Sequence, residues 1–385
     1  MTKLTFGMIG GGEGAFIGDV HRRAAALDGA FELVGGVFSQ DPEASHRFGA
    51  SLGLHPDRLA PDWRSFLAKE AQRNEDERVD LITVVTPNHL HVPISIAAID
   101  AGFHVLCEKP IARNISEAAP LIAALEQRDK IYAVANTYLG YPMVHEARAL
   151  ALDGALGTLR KVIVEYTQGW LSAPIEMEGQ KQASWRTDPG QAGAAGALGD
   201  IGVHAFSLVE YVAGRQITEL CADVTTFVSG RPLDDDASLL FRMEGQIKGA
   251  MTVSQVCAGE ENNLVLRLYG ERGGLEWRQQ DPNTLWLKPV DAPIQQLRAG
   301  ADRPYLSADA RMRIRLPAGH PEGFIEALAN IYNAIGKAII EKNNPPTMGY
   351  PDLGVGLRGL SFIKAALANI HYNEKWTRVD GEHMA

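Results

Sequence analysis

The stretch Leu4-Thr5-Phe6-Gly7-Met8-Ile9-Gly10-Gly11-Gly12-Glu13-Gly14-Ala15-Phe16-Ile17-Gly18 decides how this chain is read. A short apolar strand over residues 4–9 runs into three consecutive glycines, and a helix pattern follows over about 18–27. Glycines in such a turn let backbone N–H groups approach a pyrophosphate, and the positive end of the following helix dipole favours the anion. Gly10 and Gly12 supply a G-x-G. Gly18 stands as the third glycine, three residues later than the usual G-x-G-x-x-G places it. A glycine run by itself is no more than a flexible turn. Its place between the first strand and the first helix of a βαβ pattern raises it above that.

Working outward, residues 31–38, 81–85, 104–108 and 130–135 read as further strands, and 92–101 and 117–128 as helices. Strands separated by helices imply right-handed crossovers and a doubly wound parallel sheet, an α/β dinucleotide-binding (Rossmann) domain assigned to residues 1–140. The end of the second strand is where an acidic residue would bind the ribose hydroxyls of NAD. Ser39 occupies that place, and a serine does not repel a 2′-phosphate, so the cofactor is NAD or NADP with a slight lean to NADP. Asp41, in Asp41-Pro42-Glu43, reads as the start of the next helix.

Residues 141–385 have a different texture, read as an α+β domain with an open, mostly antiparallel sheet. Residues 161–168 alternate like a strand, and 174–197, rich in Gly, Ala and Pro, read as a long loop. Leu198, Ile201, Ala205, Leu208, Val209 and Val212 recur at helical spacing. Residues 218–228, 237–243, 247–256, 264–269 and 275–277 read as successive antiparallel strands, and two helices, over 323–342 and 353–372, follow. The acidic run Asp234-Asp235-Asp236 reads as a solvated turn, and 289–320 has no periodicity that places it.

The bulk numbers narrow the class. The chain has 385 residues, room for about two domains, and 37 basic against 47 acidic residues give a net charge of −10. That balance argues against a general nucleic-acid partner, because phosphates need Lys and Arg. No run of about 20 apolar residues and no secretory signal is visible, so no membrane partner is expected and the cytoplasm is the expected compartment. Cys107, Cys221 and Cys257 fit neither a disulfide framework nor a zinc site, and read as buried thiols. No metal is expected: His89 and His91 lack a third ligand at suitable spacing and read as loop residues.

Three further segments carry more: Thr86-Pro87-Asn88-His89, Glu108-Lys109-Pro110 and Gly199-Asp200-Ile201-Gly202-Val203-His204, with further likeness at Trp185-Arg186, Asp234-Asp235-Asp236, Leu268-Tyr269-Gly270-Glu271-Arg272-Gly273 and Gly319-His320-Pro321-Glu322-Gly323. With the glycine turn they make the chain resemble the Gfo/Idh/MocA oxidoreductase family over essentially its whole length. The resemblance implies oxidation of a secondary alcohol of a sugar, cyclitol or derivative, or the reverse, and assembly as homodimers or tetramers through the outer sheet face. It implies that Lys109 is the catalytic lysine and that Asp200 and His204 are the other catalytic pair. Cofactor contacts are expected at Gly10, Gly12, Phe16, Ile17, Gly18 and Ser39, then at Thr86, Pro87, Asn88, His91, Glu108 and Lys109. Tyr138, Tyr141, Trp185, His204 and His320 are candidates for the polyol pocket. The sequence departs from the family pattern in its lengthened glycine turn, at Ser39, at Thr137 and Leu139 where Asn and Arg are common, and at Ser207 where Asp is common.

These residue types suit the chemistry. A lysine at the carboxyl edge of a parallel sheet can stabilise negative charge on a reacting oxygen. Asp200 and His204, four apart on a helix, share a face, where a carboxylate can support a protonated imidazole. Spacing alone would equally allow a structural pair; the flanking motif favours catalysis. Either Lys109 or His204 can be the formal base. Two other readings use the same scaffold: a dinucleotide-sensing regulatory protein without turnover, against which the full Lys, Asp and His set speaks, and a reductase of imine or dihydrodiol substrates.

Overall fold

The structure is a computed structural model and describes residues 3–342, 349–371 and 375–379. Two compact units divide the chain. The first holds residues 1–136 together with 328–356, and the second holds 137–327 with 357–385. The division is therefore discontinuous, unlike a linear cut at residue 140.

In the first unit, β1 (Leu4–Gly10), β2 (Phe31–Val37), β3 (Leu81–Val85), β4 (His104–Cys107) and β5 (Tyr132–Val134) form one parallel sheet in the order β2-β1-β3-β4-β5. Helices α1 (Phe16–Leu27), α2 (Pro42–Ser51), α3 (Trp63–Ala71), α4 (His91–Asp100) and α5 (Ile115–Glu126) make the crossovers. β3 is buried along its whole length, as a central parallel strand covered on both faces must be. Asp41 caps α2, its carboxylate accepting from the N–H groups of Glu43 and Ala44, as the Asp-Pro-Glu signature predicts. The helix expected over about 18–27 begins two residues earlier, at Phe16. α3 carries too weak a pattern to have been read.

The second unit contains α6 (Pro142–Leu152), the short helices α7 (Lys181–Arg186) and α8 (Pro189–Ala192), α9 (Val203–Ala213) and α10 (Ala308–Arg311). Its nine strands are β6 (Leu159–Thr167), β7 (Ile217–Thr225), β8 (Asp236–Met243), β9 (Ile247–Ser254), β10 (Asn263–Gly270), β11 (Gly273–Arg278), β12 (Thr284–Pro289), β13 (Gln295–Arg298) and β14 (Thr377–Arg378). They lie in the order β13-β12-β11-β10-β6-β9-β8-β7-β14. Two long helices, α11 (Phe324–Glu341) and α12 (Leu353–Asn369), complete the described elements. The expected helix end at Tyr372 lies outside the described residues.

Several expectations are corrected. The strands are not successive antiparallel neighbours throughout: β6 inserts between β9 and β10 and pairs with β9 in parallel. The supposed long loop over 174–197 holds α7 and α8, and the unplaced segment after residue 289 supplies β13 and α10. Cys107 is buried, but Cys221 and Cys257 are only partly so.

The acidic run is no solvated turn. Asp234 and Asp235 are 7% and 1% exposed. Asp235 accepts from the N–H groups of Phe227 and Val228 at 2.8 and 3.0 Å and from Arg231 Nη1 at 3.0 Å. The Arg231 guanidinium also grips Glu176 through two 3.0 Å bonds. Removing one partner of such a pair strands the other charge in low dielectric. Asp235→Ala is expected to lower unfolding free energy by about 3–5 kcal/mol, read as a shifted urea midpoint.

Candidate active site

The order β2-β1-β3 places a topological switch at β1, where the sheet grows outward in both directions, and ligands of doubly wound sheets bind at the carboxyl ends beside such a point. Gly10 ends β1 there with φ +93°. A Cβ at Gly10 would sit 2.3 Å from the Val85 carbonyl oxygen, one at Gly12 2.1 Å from the Phe38 oxygen, and one at Gly18 2.3 Å from the Gly11 oxygen. The close helix–strand approach that a third glycine permits thus falls on Gly18. Gly14, with φ +73° and nothing near its missing Cβ, belongs to the added loop, which bulges outward. Ala15 provides no side-chain cap to α1, and the positive end of a helix dipole at a glycine turn favours an anion. These features fit the diphosphate of a dinucleotide. Phe16 is exposed at this helix start and Ile17 partly so. Ser39 is partly exposed, its Oγ accepting from Asp41 N at 3.1 Å.

Along the same edge come Thr86 after β3 and Glu108 and Lys109 after β4. Asn88 is buried in the short turn Asn88–Leu90, with Pro87 before it. The Lys109–Pro110 peptide is cis. Glu108 is fixed on both oxygens: Oε1 lies 2.9 Å from His21 Nε2, and Oε2 accepts from Lys109 N at 3.2 Å. His21 Nδ1 in turn meets the Tyr332 hydroxyl at 2.8 Å, and that hydroxyl meets Thr83 Oγ1 at 3.2 Å. Burial pushes the Glu108 carboxyl up, but the His21 hydrogen bond and the charges of His21, Lys109 and His91 outweigh it and hold it below the usual carboxylate range. His91, read as a loop residue, instead opens α4 with its side chain fully buried.

The second unit gathers its own cluster. Leu198–Gly202 forms a π-helical turn and leads directly into α9, so Asp200 and His204 straddle the change of pitch. Such turns are frequent at functional positions. Asp234 fastens this start: its carboxylate accepts from Gly196 N at 2.6 Å and Leu198 N at 2.8 Å. Asp200 Oδ2 accepts from Arg186 Nε at 3.2 Å and Gln255 Nε2 at 2.9 Å. The Arg186 guanidinium lies over the Trp185 ring, 4.3 Å from its centroid. The His204 ring stands edge-on to Tyr138 at 4.8 Å between centroids. The Tyr138 hydroxyl lies 2.5 Å from the Tyr166 hydroxyl and accepts from Asn262 Nδ2 at 3.1 Å. Gln168 Nε2 donates to Asn262 Oδ1 at 2.7 Å. Burial raises the Tyr138 and Tyr166 hydroxyls above the ordinary tyrosine range, so both stay protonated donors.

Among the expected pocket residues, Tyr138, Trp185 and His204 thus belong to or border this cluster. Tyr141 stacks on Tyr138 but is 2% exposed and packs against Trp277, a core position. His320 is exposed beside Pro317. Tyr166 is not among the residues expected from sequence; its one signal is the alternation of Val162, Val164 and Tyr166 on the buried face of β6. Gln168, Gln255 and Asn262 carry no sequence signal, being isolated amides brought together by strand pairing. Among the described residues no group of three or more His, Cys, Asp or Glu gathers as a metal site, and no helix is long and apolar enough to cross a membrane.

Comparison with known proteins agrees with this geometry. Residues 4–136 match the model described as an oxidoreductase family with an NAD-binding Rossmann fold, and residues 144–276 match the GFO/IDH/MocA C-terminal domain. An uncharacterised oxidoreductase of Bacillus subtilis, YfiI, is 33% identical over 97% of this chain and 96% of its own. A levoglucosan dehydrogenase of Pseudarthrobacter phenanthrenivorans is 28% identical over 71% of this chain and 73% of its own. The crystal structure of an inositol dehydrogenase homologue from Azotobacter vinelandii complexed with NAD+ aligns with a TM-score of 0.91 and 35% identity, covering 98% of this chain and 97% of that one.

The glycine cradle tolerates no side chain at Gly12. Gly12→Ala is expected to weaken dinucleotide binding at least about tenfold, measured by calorimetric titration alongside a melting curve that reports folding.

Proposed function

The chain belongs to the Gfo/Idh/MocA oxidoreductase family, and on that premise we propose that it moves a hydride between a secondary alcohol of a sugar or cyclitol and a nicotinamide, with Lys109 and the Asp200/His204 pair handling the proton. It is an NAD(P)-dependent dehydrogenase acting on CH–OH groups. The observation that carries the proposal is the shared sheet edge. Gly10 ends one of three neighbouring parallel strands, and Thr86 and Lys109 lie just beyond the ends of the other two, where such folds bind their ligands.

A bound dinucleotide supplies the hydride acceptor. The Gly10–Gly18 turn would hold its diphosphate, and Pro87 and Asn88, after the next strand end, would contribute further cofactor contacts. Lys109 hydrogen-bonds the reacting oxygen and stabilises its developing negative charge. Lys109 or His204 exchanges the hydroxyl proton, with Asp200 held by Arg186 and Gln255 on the turn preceding His204. The hydroxyls and amides of Tyr138, Tyr166, Asn262 and Gln168 suit a polyhydroxylated substrate, the class to which levoglucosan and inositol, named for two relatives, belong. Ser39 sets no carboxylate against a 2′-phosphate, which supports acceptance of NADP at least as well as NAD. Assembly as a dimer or tetramer through the outer sheet face, where Leu240 and Arg242 are exposed, and a cytoplasmic location belong to the same proposal.

The test is a cofactor-reduction screen over sugars and inositols with NAD and NADP in parallel. At least one polyol is expected to give turnover, and tight dinucleotide binding with no turnover on any substrate would support the regulatory reading instead. Lys109→Ala is expected to lower kcat by roughly a hundredfold or more, and full retention of turnover would remove the assigned role.

A further inference from the structure

His91 has a fully buried side chain with two partners. Its Nδ1 lies 2.7 Å from the Pro110 carbonyl oxygen, and its Nε2 lies 2.8 Å from the Thr86 carbonyl oxygen. Both partners are acceptors with no hydrogen to give. A neutral imidazole carries one N–H, so its bare nitrogen would face a carbonyl lone pair at hydrogen-bond distance, away from water. That arrangement forfeits one buried hydrogen bond and adds repulsion. An imidazolium donates to both.

We infer that His91 is held as an imidazolium and acts as a positioning residue, one N–H at each end tying the Thr86-Pro87-Asn88 turn to the Pro110 carbonyl, one residue beyond Lys109. The inference rests on the proposed roles of that turn and of Lys109. With both ring nitrogens spent on backbone, His91 acts on the dinucleotide through the turn rather than by touching it, unlike the direct contact expected from the sequence.

A buried cation is costly unless other charges and dipoles support it. Cys107 on β4 lies beside the ring, and the Glu108 carboxylate at the end of the same strand interacts with the ring's charge. Lys109 and, from α1, His21 act on the same carboxylate. Tyr132 on β5 faces Cys107, and Ser95 on α4 faces Tyr132. Burial alone would push the imidazole down; Cys107 and the Pro110 and Thr86 carbonyls reverse this and carry it up to about 9. The folded value lies above the unfolded one of about 6.5. The stability this proton contributes is therefore complete below about pH 6.5 and is lost as pH rises through about 9.

The test uses the full-length protein labelled with 15N-histidine, the His91 signals being identified by their loss in His91→Gln. At neutral pH both His91 nitrogens are expected to be protonated and to stay so until the pH approaches about 9. A neutral tautomer at pH 7 would overturn the inference. In His91→Gln, a single amide nitrogen cannot span both carbonyls, so dinucleotide affinity is expected to fall about tenfold. The wild-type loss of affinity across pH 9 is expected to disappear in the variant, and an unchanged affinity and pH profile would count equally against the proposal. A merely structural histidine would lower the melting temperature without moving that profile. If His91→Gln does not fold, His91→Asn serves both purposes. The spectroscopic readout needs no substrate, so a protein inactive on every polyol would end the assigned role of Lys109 while leaving the protonation of His91 to stand or fall alone.

Discussion

At Gly12 the backbone runs so close to the Phe38 carbonyl that an added methyl would sit 2.1 Å from its oxygen, and the use of the first unit depends on that approach. Close packing of the turn against the end of β2, together with the contact between Gly11 and Gly18, holds the start of α1 against the sheet edge. The three extra residues of this turn do not disturb the arrangement, because Gly14 and its neighbours loop away from it. A longer loop between two fixed points costs little, whereas a single Cβ at a fixed point costs the contact itself.

The segments around this edge, and those of the second unit, are each held by a buried ionic or polar side chain bonded to backbone. Glu108 is gripped by His21 and by the Lys109 amide. Asp234 accepts from Gly196 and Leu198 and so fixes the turn that carries Asp200. Asp235 and Arg231 tie the 226–231 turn to Glu176. Buried charges add little net stability compared with apolar packing, but they are directional. A carboxylate that must satisfy two N–H groups allows few backbone positions, which is what a site assembled from loops requires.

Much of this was visible along the chain, for identifiable reasons. The β1 strand, its glycine turn and α1 are contiguous, so their geometry follows from local residue types. The Asp41 cap lies within three residues of the N–H groups that donate to it, so the local Asp-Pro-Glu pattern is enough to show it. The acidic run Asp234–Asp236 was misread because a carboxylate looks the same in sequence whether it faces water or a helix start some forty residues earlier. Likewise the insertion of β6 beside β9 depends on hydrogen bonds between distant segments, and each strand's alternation specifies only which face is buried.

The sequence alone determined the five parallel strands of the first unit, the place of the dinucleotide turn, and Lys109 as a residue at a strand end, because each rests on neighbours a few residues apart. Tertiary structure decided the rest: the return of residues 328–356 to the first unit, where Tyr332 meets His21, and the gathering of Tyr138, Tyr166, Asn262 and Gln168. It also set the two carbonyls that face His91. Partners brought together across long sequence separations leave no periodic trace, since the energy that selects them exists only once the backbone has closed.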